Sequence, residues 1–488
     1  MMDKSIREKY EPVIGLEVHA RLLTASKIFN SDATAFGNVP NTHVSVITLA
    51  HPGTLPRLNK KTVELAIKMG LACNSEISRV QIFDRKNYFY PDLPKGYQIT
   101  QDRTPVCKGG HITIRLKDGT ERNIPLNRIH MEEDAGKSLH LEGEADTAVD
   151  FNRAGVSLIE IVTEPAMFSS EEAGALMTEI RKMVRYLDIC DGNMEEGSLR
   201  CDANVSVRLR GAVQLGKKVE IKNMNSIRNV QRAIDYEIER QIQLLEKGEA
   251  IISETRLFDA AKGQTFGMRT KEELNDYRYF PDPDLSPLHV SDEWLNKIKA
   301  HMPALPRELY QKYLHDYQLP EYDAFVITDS KEIALFFEEV CQHTTHFKAA
   351  SNWVMGPLKQ YLNESGKAIH ELAITPKKLA EVIAMIDEGK LNFSVASQKL
   401  FPVLVTDASR SVAEIVQALN LVQHRDEGAI AGMIDQVIRE FPLKVEEYQN
   451  GKKGIIAMFM GEVMKRSKGA ADPKLANELL LKKLTKKI

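Results

Sequence analysis

The sequence predicts an α+β fold: an antiparallel sheet with flanking helices, then an all-α helical domain and an α-helical tail. Three observations carry the prediction. Several segments alternate apolar and charged residues with period two, the pattern of a sheet with one buried and one polar face. Two long segments, Ser169–Leu187 and Asn225–Lys247, space their apolar residues for helices. Beyond Pro281, Pro283 and Pro287, helical spacing takes over from Trp294. A chain of 488 residues also exceeds one hydrophobic core, so several domains are expected.

The first strand is Val13–His19, VIGLEVH. It sets Val13, Gly15, Glu17 and His19 on one face and Ile14, Leu16 and Val18 on the other. Glu17 and His19 project side by side, which suits either a surface pair or two ligands of a metal. Ser26–Asn59 is rich in turn formers and reads as irregular loops, and Lys61–Ala72 as a helix. Phe83–Gln101 interleaves Tyr88, Phe89, Tyr90 and Tyr97 with Arg85, Lys86 and Lys95. Residue types support equally an aromatic-anchored loop and a platform for a nucleotide or an RNA 3′ end.

Further strands repeat the design. Ile124–Asp134 sets Arg128, His130, Glu132 and Asp134 on one side. Leu158–Val162 is apolar enough to be buried yet holds Glu160, a carboxylate that must be paired. In Arg200–Arg208, Asp202, Asn204, Ser206 and Arg208 face away from Cys201, Ala203, Val205 and Val207; in Val219–Lys222, Glu220 and Lys222 face away from Val219 and Ile221. The helix Ser169–Leu187 opens on Ser169 and Glu172, a capping-box spacing, and the helix Asn225–Lys247 ends at Gly248.

A polar face is often just a solvated one, and Glu160 could pair with a basic residue on a neighbouring strand. Here, however, Glu17, Glu132, Glu160, Asp202 and Glu220 accumulate with few lysines in the same strands. Converging carboxylates repel unless a cation sits among them. Oxygen ligands with one imidazole suit Mg²⁺ or Mn²⁺ better than Zn²⁺, which points to phosphoryl transfer. Met131–Ser138 (MEEDAGKS) and Gly211–Lys218 (GAVQLGKK) imitate phosphate loops, but Met131 replaces a glycine in one and Lys218 a hydroxyl residue in the other. Any ATP is therefore bound by another route.

Composition sets the remaining bounds. Hydrophobic residues make up 43% and charged residues 27%, ordinary for a soluble protein, and no apolar run is long enough to span a membrane. The first residues carry no signal core, and five scattered cysteines without a CxxC pair fit a reducing cytoplasm. A net charge of −3 leaves any nucleic-acid site to local charge.

The blocks FDRKNYFYPDLPKGYQI, HMEEDAGKS, DFNRAGVSLIEIVTEP, MEEGSLRCDANVSVR, EIKNMNS and DYRYFPDPDLSPL together resemble, in order, the B subunit of the aspartyl/glutamyl-tRNA(Asn/Gln) amidotransferases. The resemblance covers essentially the whole chain. It implies ATP-dependent phosphorylation of the side-chain carboxylate of Glu-tRNA(Gln) or Asp-tRNA(Asn), followed by amidation with ammonia. It also implies Mg²⁺ held by Glu17, His19, Glu132 and Glu160, with Asp202 near a second ion, and the cradle shape of the sheet. Lys86, Asn87, Arg153 and Lys222 are candidate phosphate or substrate contacts. Many members bind zinc through two cysteine pairs; the matching positions here are Asn30, Asp32, Ser45 and Thr48, so no zinc is expected.

The chain has neither a serine- and glycine-rich amidase run nor a glutaminase Cys–His arrangement, so a partner must supply ammonia. The resemblance implies a heterotrimer in which this chain joins the family's amidase, the A subunit, and its small third component, the C subunit. A non-catalytic scaffold presenting tRNA is the alternative, and it has no need for the acidic faces.

The expected domains are 1–295, a catalytic cradle; 296–405, helical; and 406–488, a tRNA-binding tail. Thr375 and Pro376 open one helix, Phe401–Ser411 is a candidate hinge, and Ser411–Leu421 and Ile430–Glu440 read as amphipathic helices. From Phe441 to Ile488 there are 11 Lys and Arg against 5 Asp and Glu. Lys452, Lys453, Lys465, Arg466 and Lys468 suit either a solvated face or phosphate contacts, and the resemblance to the family's tail domain favours tRNA.

Overall fold

The computed structural model describes residues 3–140, 143, 146–270, 277–422, 427–467 and 471–485. The chain divides into two compact units, Met1–Leu305 and Pro306–Ile488.

The first unit is built on a ten-stranded sheet among the described residues. Its principal strands are β1 (Tyr10–Arg21), β2 (Glu121–Glu133), β3 (Ser157–Thr163), β4 (Leu199–Leu209), β5 (Val219–Lys222), β6 (Glu254–Asp259) and β7 (Gln264–Thr270). They lie in the order β7-β6-β5-β4-β1-β3-β2, with short strands beyond β2, so the first strand in sequence sits inside the sheet. Its long antiparallel pairings with β4 and β3 join segments some 140 to 200 residues apart in sequence. One pair departs from the expected antiparallel pattern: β5 and β6 run parallel. The helix Ile227–Glu246 lies between them in the chain, and a crossover helix is what a parallel connection requires.

Alternation fixes what each face buries. Ile14, Leu16, Val18 and Ala20 of β1 are 0–1% exposed. With Ile159 and Ile161 of β3 and Ala203 and Val205 of β4 they join a single core. Two helices complete it: α1 (Ser170–Tyr186), through Leu176, Met177, Ile180 and Val184, and α2 (Ile227–Glu246), through Val230, Ile234, Ile238 and Ile242. Gly174 lets the helices approach, because a Cβ there would lie 2.4 Å from the Gln231 amide nitrogen. Ser169 caps α1 as expected, its hydroxyl accepting from the Glu172 amide at 3.1 Å. The Glu172 carboxylate does not close a capping box; it accepts from the Phe168 amide at 2.5 Å and pairs with Arg122.

The second unit is helical throughout. Thr375 and Pro376 begin the helix Pro376–Asp387 as predicted. The expected hinge over Phe401–Ser411 starts later, because the chain stays helical from Phe393 to Leu404, with Pro402 just after the π-helical turn Ala396–Leu400. Helices Glu427–Glu440, Ile456–Arg466 and Pro473–Thr485 enclose their own core, with Ile434, Val437, Phe459, Val463 and Leu480 at 0% exposure.

Candidate functional site

The polar face of the sheet is assembled by strand register. In antiparallel pairs, directly opposed residues point to the same side. His19 of β1 opposes Glu160 of β3 on one flank and Arg200 of β4 on the other; Glu160 in turn opposes His130 of β2. Glu17 opposes Asp202, and Asn204 opposes Glu220. Five strands thus deliver their ionisable residues to one face, while the residues between them form the core.

His19, Glu132 and Glu160 meet, each offering one ligand atom within 4.8 Å of the others. His19 Nε2 lies 3.3 Å from Glu132 Oε1 and 3.6 Å from Glu160 Oε2. Burial alone would lower the His19 pKa, but the Glu160 charge and the hydrogen bond and charge of Glu132 raise it to about 9. The Glu160 carboxyl is held well below its usual range despite its burial, through His19 and His130.

Glu17 stands beside this group rather than within it. Its Oε1 accepts from Asn204 Nδ2 at 3.0 Å. Its pKa is raised by burial first, then by the Glu160, Glu220 and Asp202 carboxylates. Asp202 is bound by the Lys222 ammonium, which also lies 3.3 Å from Glu220 Oε1. Burial opposes the Lys222 charge, but the two acidic partners outweigh it and push the pKa up.

The other predicted contacts are placed as follows. Lys86 lies 4.8 Å from the Tyr277 ring centroid and 5.8 Å from that of Tyr88, and its charge helps hold Glu160 ionised. Asn87 spends its amide on the Arg278 carbonyl at 2.9 Å, anchoring that segment. Arg153 donates to the Ala135 and Gly136 carbonyls at 3.0 and 2.6 Å. The aromatic loop does approach the acids: Gln98 Nε2 donates to Glu132 Oε2 at 3.1 Å, and Lys95 pairs with Glu133.

Sequence reasoning did not single out His130, Arg200 or Asp134. His130 Nε2 is 3.1 Å from Glu160 Oε2, so it braces a ligand of the group. Arg200 makes a two-pronged contact with Asp134, both bonds 3.1 Å, and holds that carboxyl below its usual range despite burial. Alternation had put His130 and Asp134 beside Glu132; only strand pairing shows which partners they meet.

The positions of the expected missing cysteines form a hydrogen-bonded cluster. Asp32 Oδ2 accepts from Thr48 Oγ1 at 2.6 Å and from the Ser45 amide at 2.8 Å, and Asn30 Nδ2 donates to Thr48 Oγ1 at 3.0 Å. Fully buried Lys27 donates to the His43 carbonyl at 2.7 Å, and burial lowers its pKa to about 8.

In the second unit, Lys452, Lys453 and Lys465 are all exposed on the surface side of their segments. Lys452 pairs with Glu447 at 3.2 Å, and Lys453 lies 4.4 Å from the Tyr448 ring centroid. Arg466 pairs with Glu440, and Lys468 lies outside the described residues. Lys452 and Lys453 precede the helix Ile456–Arg466 and Lys465 falls in its last turn, which spreads these charges over roughly 20 Å.

Residues 12–296 match the family described as the GatB/GatE catalytic domain, and residues 335–484 match the GatB domain. The chain is 49% identical over 474 residues to the B subunit of the aspartyl/glutamyl-tRNA(Asn/Gln) amidotransferase of Thermodesulfovibrio yellowstonii, covering 97% of this chain and 99% of the relative. It is 50% identical over 476 residues to the protein of the same description from Trichlorobacter lovleyi, covering 98% and 99%.

Proposed function

The chain belongs to the family of aspartyl/glutamyl-tRNA(Asn/Gln) amidotransferase B subunits, and from that premise we propose that its acidic sheet face transfers phosphate from ATP to the side-chain carboxylate of a tRNA-bound Glu or Asp. The convergence of His19, Glu132 and Glu160 carries the reading. Two carboxylates and an imidazole in one pocket, beside a Glu17 whose ionisation its acidic neighbours oppose, form a donor set that fits a hard divalent cation. His19, Glu132 and Glu160 would hold Mg²⁺ or Mn²⁺, with Glu17 adjacent and Asp202 beside a second ion. Such an ion supplies charge screening for the phosphates.

The chain's own residues do the rest. Lys86 and Lys222 place positive charge beside the acids, where phosphate oxygens are met. His130 and Gln98 fix the Glu160 and Glu132 carboxylates, and Tyr88 crowds the same space. The substrate carboxylate oxygen attacks the γ-phosphorus and ADP leaves. Ammonia then attacks the acyl carbon and phosphate leaves, giving Gln-tRNA(Gln) or Asn-tRNA(Asn). The ammonia comes from glutamine through a partner amidase, the A subunit, in a cytoplasmic complex completed by the small C subunit. The tail lysines Lys452, Lys453, Lys465 and Lys468 grip the tRNA body, and the loop around Asp32 needs no zinc. Residues 1–295 act as the catalytic cradle, 296–405 as the helical domain and 406–488 as the tail.

The test uses the assembled complex, γ-labelled ATP and Glu-tRNA(Gln), without an amide donor. Label should appear transiently on the aminoacyl group. Absence of label, with tRNA still bound, would favour the scaffold reading instead.

A further inference from the structure

The short strand Asp84–Asn87 and the distant segment from Tyr277 to Asp284 are clamped together. Phe280 and Pro281 pair with Arg85 and Asp84. Arg85 reaches Asp282 and Asp284, each at 2.8 Å. Asn87 adds two bonds: its backbone amide donates to the Tyr277 carbonyl and its side chain to the Arg278 carbonyl, both at 2.9 Å. Arg278 has φ of 45°, a left-handed conformation that a residue with a side chain rarely adopts. Such a conformation persists only where its surroundings over-determine it, and it concentrates at working sites. The bonds from Asn87 do so here, and they fix Tyr277 with it.

Lys86, next to Asn87, lies against Tyr277. It opposes Gln98, whose amide touches Glu132, so it points to the side of the acids. Its charge is felt at Glu160. Yet among the described residues Lys86 makes no hydrogen bond and no ion pair. Its neighbours are rings: the Tyr277 centroid at 4.8 Å and the Tyr88 centroid at 5.8 Å. Tyr277 meets Tyr88 edge to face at 5.9 Å and Tyr279 at 6.2 Å, which braces it from both sides. A carboxylate in place of the ring would neutralise the ammonium, occupy its donors and add another acid beside Glu132 and Glu160. An aromatic face attracts the cation through its quadrupole and takes up no N–H. Burial, then the Glu132 charge, pushes the Tyr88 phenol up, so that ring stays neutral as well.

We propose that Tyr277 is a positioning residue: its ring holds the Lys86 ammonium beside the acidic group by a cation–π contact, leaving the three N–H donors for an anionic substrate group. The proposal rests on the phosphoryl-transfer reading and adds to it the residue that aims one of its cations. Tyr277 touches Lys86, not the reacting atoms.

The test is single-turnover phosphate transfer by the assembled complex with saturating γ-labelled ATP and Glu-tRNA(Gln). Tyr277→Phe should keep the rate, because the ring face is retained. Tyr277→Leu should lower it about tenfold, the scale of a lost cation–π contact, while Mn²⁺ binding is retained. Phenylalanines carrying one, two and three ring fluorines at position 277 keep the shape but progressively remove the negative face. Their rates should fall stepwise toward that of Tyr277→Leu. Equal rates across the fluorinated series, with the unaltered complex active, would reduce Tyr277 to packing and overturn this proposal alone. Absence of transfer in the unaltered complex would overturn the phosphoryl-transfer reading and the role of Tyr277 with it.

Discussion

The polar sheet face and the basic tail both concentrate charge, but in opposite ways. On the sheet, backbone pairing sets each ionisable group opposite a stated partner, and the surrounding segments bury it. Strand pairing holds His19, Glu132 and Glu160 together, and there His19, its pKa raised to about 9 by the two acids, offsets their charge. In the tail, Lys452, Lys453 and Lys465 stand on a small helical core and can adapt to a long polyanion. Rigid geometry suits a point charge and a reacting bond; loose geometry suits a backbone of repeated phosphates.

The sharpest break of this contrast lies on the sheet. Glu160→Gln or His19→Ala should lower phosphoryl transfer by at least about 10³-fold in a single-turnover assay, since each removes a ligand that strand pairing cannot replace. The fold should survive, because both side chains lie on the polar face. Next comes the layer beneath. Ile161→Ala, at 0% exposure between Val18 of β1 and Ile129 of β2, should cost about 2–5 kcal/mol in urea unfolding and disturb the metal site only through stability.

How much of this was legible in sequence follows from the same physics. Period-two alternation put Glu17, His19, Glu132, Glu160 and Asp202 on polar faces without any knowledge of pairing. Alternation is local, so it could not show that β1 sits between β3 and β4, nor that Arg200 meets His19 and Asp134. The parallel β5–β6 pair was hidden for a similar reason, since short strands do not announce their direction. Helices α1 and α2 were readable to within a few residues, because caps and 3.6 spacing are properties of the segment itself. The loop around Asp32 read only as a lack of cysteine; its hydrogen bonds depend on the three-dimensional approach of Asn30, Ser45 and Thr48.

That loop supplies a smaller test. The Thr48 and Ser45 bonds hold the Asp32 carboxyl below its usual range despite burial. Its stabilising contribution is therefore complete above the unfolded pKa of 3.8 and is lost as pH falls through the lower folded value. Asp32→Ala should cost about 1–3 kcal/mol at pH 7, and the gap from the unaltered chain should close in acid. With Mg²⁺ kept in excess, a zinc-selective chelator should leave the thermal midpoint unchanged; a drop would mean that zinc holds the loop.

The smallest effects belong to the tail. Lys453→Glu and Lys465→Glu should each weaken tRNA binding about tenfold at physiological salt and flatten its salt dependence. ATP hydrolysis without tRNA should be unaffected. Unchanged affinity would return these lysines to the role of a solvated face.

The central claim is that three strands, β1, β2 and β3, place His19, Glu132 and Glu160 from distant parts of the chain around one divalent ion. Its most direct test is an electron paramagnetic resonance titration of Mn²⁺ into the full-length chain, unaltered and as Glu160→Gln. The unaltered chain should bind Mn²⁺ with micromolar to millimolar affinity, Mg²⁺ should compete, and Glu160→Gln should remove that binding. Equal Mn²⁺ affinity in both proteins would contradict the claim.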